Sequence, residues 1–461
     1  MKRMSRTYII FLLAAGMVLG ACKKGFLSTL PSSSIVEPTT LANFQSILDN
    51  TTVMGRTPVL GELSADNFYL PYSAWQALDP REYNAYVWAT DIYQGQGQVE
   101  DWDAPYTQVY YANTVLEQLP TVPIVTENAQ QWAEEQGSAL FLRAYAFYNI
   151  AQLFAPAYDT NSAASDLGIP LRLHSDVKAP SVRASVAATY TQILSDLRQA
   201  SALLSPEISL SYRNRPSKPA ALAMLARVYL SMRDYTHAGL YADSALQLYD
   251  SLIDYNTVSA AGVRPFTKLN AETIYQSNFL SYTQCLEANT YPNCIVDSLL
   301  YQSYAANDLR RILFYTINAN GHPNIKFGYS GLAFPFSGLA TDECFLIRAE
   351  CAARAGNTTA ALNDLNTLLK NRWKTGSFVP VTAASPAEAL DIILAERRKE
   401  LAFRGIRWSD LRRLNKGGKN ITLQRVLNGI TSTLPPNSPL YTLPIPPDVL
   451  NDNPGMQQNQ R

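Results

Sequence analysis

Charge is scarce in this sequence. Asp, Glu, Lys and Arg make up 16% of the 461 residues, and 38 basic side chains balance 38 acidic ones. Proteins that bind nucleic acids carry a basic excess because they neutralise phosphates. The balance therefore argues against a nucleic-acid partner, whereas a neutral and polar surface suits uncharged, hydroxyl-rich ligands such as glycans.

Residues that bind transition metals are also few. The sequence contains no Cys-x-x-Cys motif, and its three histidines are scattered: His174, His237 and His322. Zinc sites need clustered Cys or His ligands. We therefore predict neither a metal site nor a cofactor, although these residues leave a role for calcium open.

The cysteines separate into two pairs after the first one, Cys22. Cys344 and Cys351 are seven positions apart on a helical pattern, too far to bridge, so we interpret them as small core residues. Cys285 and Cys294 lie in a polar, loop-like stretch. We predict that these two can form a disulfide in an oxidising compartment.

Familiar catalytic motifs are absent from the sequence. It has no GxSxG, no HExxH, no Walker loop and no GxGxxG after a strand. Asp66, Asp101 and Asp103 lie among aromatic residues and could imitate the carboxylate pair of a glycosidase. Because carboxylates are common in loops, we favour a protein that is not an enzyme. A surface glycosidase or peptidase using these carboxylates is the alternative.

The only long apolar run lies at the N-terminus. Residues 8–19 follow three basic residues and lead into Leu19-Gly20-Ala21-Cys22. This run is too short to span a bilayer, and small residues before a cysteine suit cleavage followed by lipid transfer to the thiol. We predict a lipoprotein signal peptide over 1–21, a membrane anchor of fatty acids such as palmitate on Cys22, and a flexible tether over 22–40.

The rest of the chain is dominated by helical patterns. Apolar residues recur at spacings of three and four from Trp102 to Leu116, from Leu140 to Leu153 and from Val186 to Leu204. Ser385-Pro386-Ala387-Glu388 is a capping box that starts a further helix. The charges of 396–400 alternate in sign, which predicts a structural ion network, with Arg404 four residues after Glu400.

Two segments, 221–248 and 344–369, share one helix-pair pattern with small residues at matching offsets. The offsets are those of tetratricopeptide helices. We predict an all-α fold in which irregular tetratricopeptide-like helix pairs form a scaffold with a loop-rich ligand-binding face. One domain, 41–461, would comprise an N-terminal part (about 41–250), a loop-rich insert (about 250–340) and a C-terminal helical part (about 341–461).

Aromatic residues are concentrated in two loop-like regions, Ser64–Asp101 and the insert, and the chain has 27 tyrosines. A sugar ring packs its C–H face on an aromatic plane while its hydroxyls bind polar neighbours. We predict that part of these rings contact ligand. The candidates are Tyr72, Trp75, Tyr83, Tyr282, Tyr291 and Tyr329.

Several phrases, in this order, carry a family resemblance that covers nearly the whole mature chain. They are 112–113 (AN), 141–147 (FLRAYAF), 152–154 (QLF), 168–170 (GIP), 226–230 (ARVYL), 345–350 (FLIRAE), 396–401 (ERRKEL), 405–411 (GIRWSDL), 443–446 (LPIP), 453–454 (NP) and 458–459 (QN). The chain resembles the SusD/RagB family of outer-membrane nutrient-binding lipoproteins.

The resemblance implies the helical scaffold and a variable, loop-rich ligand face. It also implies a function: capture of oligosaccharides, or of peptides in some members, and delivery to a TonB-dependent transporter of the SusC type. The protein would be lipid-anchored in the outer membrane and face the cell surface. Of the family's residues, only Cys22 is carried over, as the acylated position.

Overall fold

The computed structural model describes residues 38–283, 286, 293–329 and 331–461. Cys22, Cys285, Tyr291, the signal peptide and nearly all of the tether lie outside these residues, so the predictions made for them stay predictions. Cys294 is described and is buried. Cys344 and Cys351 are buried too, which confirms them as core residues.

The described chain is mostly helical, as predicted. Its helices of eight or more residues are α1 (Leu41–Leu48), α2 (Glu100–Gln118), α3 (Ala129–Phe154), α4 (Val186–Leu203), α5 (Lys218–Met232), α6 (Tyr235–Leu248), α7 (Thr341–Arg354), α8 (Thr358–Lys370), α9 (Pro386–Glu400) and α10 (Arg407–Lys416). The three helices expected from apolar spacing are α2, α3 and α4. Ser385 caps α9 by accepting from the Glu388 backbone N–H at 3.2 Å.

The long helices α2 to α6 each pack on the next one in the sequence. α2 packs on α3, α3 on α4, α4 on α5 and α5 on α6. The two predicted tetratricopeptide-like pairs are α5–α6 and α7–α8, and α6 packs directly on α7 although residues 249–340 separate them in the sequence. A Cβ atom at Gly239 would lie 3.0 Å from the Cβ of Cys351. A small residue is therefore needed where the two pairs meet.

The strands are short and form two-stranded ladders within the described residues. They are Arg56–Thr57 with Asn278–Phe279, Phe68–Tyr69 with Ile295–Val296, Thr273–Tyr275 with Leu339–Ala340, Leu167–Pro170 with Arg183–Ser185, Tyr315–Ile317 with Pro323–Ile325 and Leu423–Leu427 with Ile430–Leu434. The second of these ladders joins the first aromatic-rich region to the insert, and the first ladder pairs the insert with residues shortly before that region. The two aromatic-rich regions of the sequence are therefore neighbours in space.

Three local features differ from the sequence analysis. The first loop region contains the short helices Leu60–Ser64, Tyr72–Gln76 and Pro80–Tyr86, which are too short to show a helical period. The C-terminal stretch contains the short helix Pro447–Asp452, which the sequence analysis does not identify. The hairpin Leu423–Leu434 was not predicted, although its Asn428-Gly429 turn has the positive φ angles typical of tight hairpins.

The charged segment of α9 forms the predicted structural ion network. Glu400 is fully buried and accepts from Arg310 at 2.9 Å and from Arg372 at 2.7 Å. Arg397 binds Asp410 at 2.8 Å. One partner differs from the prediction, since Arg404 binds Asp342 at 3.0 Å. These charges fix the C-terminal helices against the insert.

Across the described residues, we find no helix with both the length and the apolarity needed to cross a bilayer.

Candidate functional site

Three of the predicted aromatic residues meet at the surface of the first loop region. The rings of Tyr72 and Trp75 are stacked with centroids 5.7 Å apart, and Trp75 meets Tyr83 edge-on at 5.5 Å. Tyr72 is 38% exposed, while Trp75 and Tyr83 are half-buried. We call Tyr72, Trp75 and Tyr83 the aromatic platform.

Two short helices position the platform. Tyr72 and Trp75 lie three residues apart on Tyr72–Gln76 and so share one face. Tyr83 lies on Pro80–Tyr86, whose start is fixed because Asp79 accepts from the Arg81 backbone N–H at 3.0 Å. The Trp75 indole N–H donates to the Tyr83 carbonyl at 2.9 Å. This hydrogen bond ties the two helices together and fixes the angle between the rings.

Amide side chains border the rings. Gln76 Nε2 donates to the Tyr72 hydroxyl at 2.9 Å, and Gln94 Nε2 donates to the Tyr83 hydroxyl at 3.2 Å. Both glutamines are exposed and keep further donors and acceptors for a ligand. Gln94 begins a tight turn in which Gln96 N donates to Tyr93 O at 2.9 Å. The sequence analysis did not identify these glutamines as candidates.

Tyr282 extends this surface from the insert. Its ring lies 5.8 Å from the Arg81 guanidinium, and its hydroxyl donates to Asp101. The ring is half-buried. Burial and the neighbouring Asp101 carboxylate raise the pKa of Tyr282 well above its usual value. Arg81 thus links Tyr282 to the helix that carries Tyr83, and this part of the insert adjoins the platform.

The candidate carboxylates are engaged in structural contacts. Asp101 is buried and accepts from the backbone N–H groups of Val59 at 2.6 Å and Leu60 at 2.8 Å. Asp66 binds Arg407 at 2.6 Å and Arg398 at 3.2 Å. Burial alone would raise the pKa of Asp66, but the two guanidinium groups hold it well below its usual range. Both residues stabilise the fold.

Asp103 differs from the other two carboxylates. It lies half-buried in the first turn of α2. Burial, together with the neighbouring acids Asp448 and Glu100, raises its pKa to about 6. A raised pKa alone does not make a catalytic acid, because a glycosidase also needs a second free carboxylate across the sugar.

Tyr329 is not part of the aromatic platform, because its contacts bury it elsewhere. It is 5% exposed, and its ring packs between Phe266 at 5.4 Å and Phe336 at 5.5 Å. The Arg404 guanidinium lies 4.3 Å from the ring centroid, and the hydroxyl donates to Glu272. In this conformation Tyr329 presents almost no surface to a polymer.

One group of carboxylates in the described residues is close enough to share a cation: Glu272, Asp342 and Glu400. Arg372 binds Glu272 at 2.9 Å and Glu400 at 2.7 Å, and Arg404 binds Asp342 at 3.0 Å. Burial raises the pKa of Glu272 to about 7. Arginine side chains thus occupy the positions that a metal ion would take.

Two family models match the chain. Residues 25–230 match a family described as starch-binding and associating with the outer membrane, and residues 341–461 match the SusD family. The two matches lie on either side of the insert, and the first of them includes the aromatic platform.

Known proteins agree with these matches. The chain is 25% identical over 375 residues to SusD-like protein P2 of Formosa agariphila, a match covering 69% of this chain and 72% of that protein. A SusD superfamily protein from Bacteroides thetaiotaomicron superposes with a TM-score of 0.74 at 21% identity, over 92% of this chain and 100% of the other. Surface glycan-binding protein A from Bacteroides uniformis superposes with a TM-score of 0.69 at 16% identity, over 91% and 99%. At such identities the superpositions establish the fold.

Proposed function

The chain belongs to the SusD family, and on that premise we propose that it binds oligosaccharides at the cell surface and delivers them to a SusC-like TonB-dependent transporter. The aromatic platform carries the proposal. Its two stacked rings and one edge-on ring form an apolar surface that an uncharged sugar can cover. Surface glycan-binding protein A, which shares the fold, is named for the same class of ligand.

Binding at such a surface divides between two kinds of contact. The C–H face of a sugar would pack on Tyr72 and Trp75, and its edge hydroxyls would bind Gln76 and Gln94. A few contacts of this kind give micromolar to millimolar affinity, which is about 4 to 8 kcal/mol. That range suits capture followed by release to a partner.

The platform itself contains no acid or base that would cleave a sugar. Asp101 and Asp66, two of the three carboxylates on which the enzyme alternative relied, bind backbone amides and arginines instead. This supports a binding protein. The alternative of a peptide-binding protein differs from this proposal only in the class of ligand. The same binding experiment therefore tests both.

The experiment is calorimetry of the detergent-purified full chain against plant, host and microbial glycans, with peptide mixtures alongside. We expect saturable binding of at least one glycan and no released product. Trp75→Ala should weaken that binding at least tenfold, because truncating a central aromatic anchor costs about 2 kcal/mol. Tyr212→Ala is the matched control, since Tyr212 is 52% exposed and stacks on Arg215 away from the platform.

Three outcomes would contradict the proposal. Product release would favour the surface glycosidase or peptidase. Binding of peptides alone would favour the peptide-binding member. Equal affinities for Trp75→Ala and Tyr212→Ala would remove the platform from the proposed mechanism.

The anchor and the transporter need separate tests. The tether of 22–40 can extend to at most about 70 Å, so acylated Cys22 would keep the helical domain near the membrane. Cys22→Ala should release a folded protein from the membrane fraction, and a variant that still sediments with membranes would contradict the anchor. A SusC-like protein should co-purify with the wild-type chain from native membranes.

A further inference from the structure

A cleft of about 580 Å³ lies among the C-terminal tail, the end of α10 and residues 156–167. Arg183, Arg412 and Lys416 line it, together with Asp166 and the amides Gln458 and Asn459. None of the platform residues takes part. Three cationic side chains thus face one carboxylate in a single cleft.

Arg412 is buried without an acidic partner among the described residues. It is 4% exposed and donates to the carbonyls of Gln152 and Ala155 at the end of α3. Its Nε atom is buried and has no hydrogen-bond partner in the part of the chain that is described. Burial lowers the pKa of Arg412, and the nearby groups that oppose this shift are tyrosines. One N–H donor of a buried cation therefore remains unused.

Arg183 also has no acidic partner among the described residues. It donates to the carbonyls of Gly168 at 2.8 Å, Leu167 at 2.8 Å and Gln457 at 3.0 Å, and to Asn459 Oδ1 at 2.8 Å. All four acceptors are neutral. Burial lowers its pKa to about 10, and Tyr106 opposes that shift only in part. The positive charge of Arg183 is thus solvated by dipoles without a counter-charge.

In the charged network of the C-terminal helices, by contrast, the buried arginines are paired with acids. Arg310, Arg372 and Arg413 each bind carboxylates at 2.6 to 2.9 Å. A buried cation is costly unless an anion accompanies it. The acids near the cleft supply little compensation. Asp166 accepts from Ser162 Oγ at 2.6 Å, and Asp159 lies 3.4 Å from Lys416.

We propose that this cleft is an anion-binding site for a carboxylate or sulfate group, held by Arg412, Arg183 and Lys416. Guanidinium groups bind the oxygens of such anions with geometric specificity, and Lys416 adds a mobile ammonium at the mouth of the cleft. The anion has two possible sources, an acidic sugar on a glycan or a free inorganic ion. Only the sugar source rests on the proposed function.

The test is calorimetry of the full chain in detergent with sodium sulfate and with sodium glucuronate, at constant ionic strength, and with glucose as the neutral counterpart. We expect saturable binding of at least one anion and none of glucose. Lys416→Gln should weaken binding of the anion at least fivefold. Lys419→Gln is the matched control, because Lys419 binds Asp391 outside the cleft.

Arg412→Gln should abolish binding, but its contacts to α3 make correct folding a condition, verified by the melting temperature. The side chain of Lys416 is 31% exposed, so Lys416→Gln should leave the fold intact. This variant therefore tests the proposal even if Arg412→Gln unfolds. Tighter binding of glucuronate than of sulfate assigns the site to acidic sugars, and sulfate alone assigns it to free anions. Absence of saturable anion binding, or equal affinities in Lys416→Gln and Lys419→Gln, would overturn the proposal.

This test is independent of the platform. Trp75→Ala should leave anion binding unchanged, and Lys416→Gln should leave the binding of neutral glycans unchanged. A failure of the proposed function would therefore appear as a lost glycan signal with the anion signal intact, and the reverse pattern would identify a failure of this inference.

Discussion

The aromatic platform and the ion network around α9 use opposite chemistry. The network buries its charges: the side chains of Arg310, Arg372 and Glu400 have no exposed surface. The platform exposes its rings, and its polar neighbours are neutral amides. In these two regions, charge holds the scaffold together and uncharged surface is available to a ligand. Changes in the two regions should therefore affect different measurements.

The largest expected effect is a loss of stability when the ion network is broken. Glu400→Ala removes the carboxylate shared by Arg310 and Arg372 and leaves two buried cations with fewer partners. We expect the free energy of unfolding to fall by about 3–5 kcal/mol, measured by urea denaturation. The folded fraction should still bind glycan with unchanged affinity.

Asp391→Ala is the control for this change. Asp391 lies on the same helix, but its side chain is 66% exposed and pairs with the exposed Lys419. Surface pairs of this kind contribute about 0–1 kcal/mol. If both variants lost the same stability, burial would not explain the strength of the network.

Acid should weaken the network by a smaller amount. Burial alone would raise the pKa of Asp410, but Arg397 and Arg413 lower it from 3.8 to about 2. A lowered pKa in the folded state stabilises the fold above the unfolded value. That stability is lost as pH falls from about 4 towards 2, by roughly 2 kcal/mol. Denaturation at stepped pH measures it.

Asp410→Asn isolates the contribution of this carboxylate. The variant should be less stable than the wild type at pH 5 and should lose less stability between pH 4 and pH 2. Parallel curves for the two proteins over that range would show that Asp410 does not contribute to the acid sensitivity.

The smallest expected effect is on glycan affinity and comes from a change in the aromatic platform. Tyr72→Ala removes the most exposed ring, so we expect about fivefold weaker glycan binding, roughly 1 kcal/mol, with the melting temperature unchanged. Tyr72→Phe keeps the ring and loses only the hydroxyl that Gln76 contacts, and should retain most of the affinity. A large loss of stability in Tyr72→Ala would mean that the platform is part of the core.

The helices of the fold could be predicted because their signal is local. Apolar residues at spacings of three and four identify α2, α3 and α4 regardless of what packs against them. The stacking of α6 on α7 could not be predicted in this way. It depends on Gly239 and Cys351 meeting across the whole insert, and no local period encodes that contact.

The arrangement of the candidate site could be predicted in part, for a related reason. Tyr72, Trp75 and Tyr83 are close in the sequence, so two short helices suffice to bring them together. Tyr329 has the same composition signal, yet Phe266, Phe336 and Arg404 bury it. Composition identifies rings but does not distinguish an exposed ring from a buried one. Arg183 and Arg412 carried no signal at all, because only the fold shows that they lack acidic partners.

The contact of α6 with α7 also sets an order for the biosynthesis of the protein. The face of α6 around Gly239 is complete before the insert is made, and α7 follows only after residue 340. At about 5–20 residues per second, that interval lasts roughly 5 to 20 seconds. During it, the growing chain presents an uncovered helical face to the cell's chaperones, and the second helix pair closes that face only when it arrives.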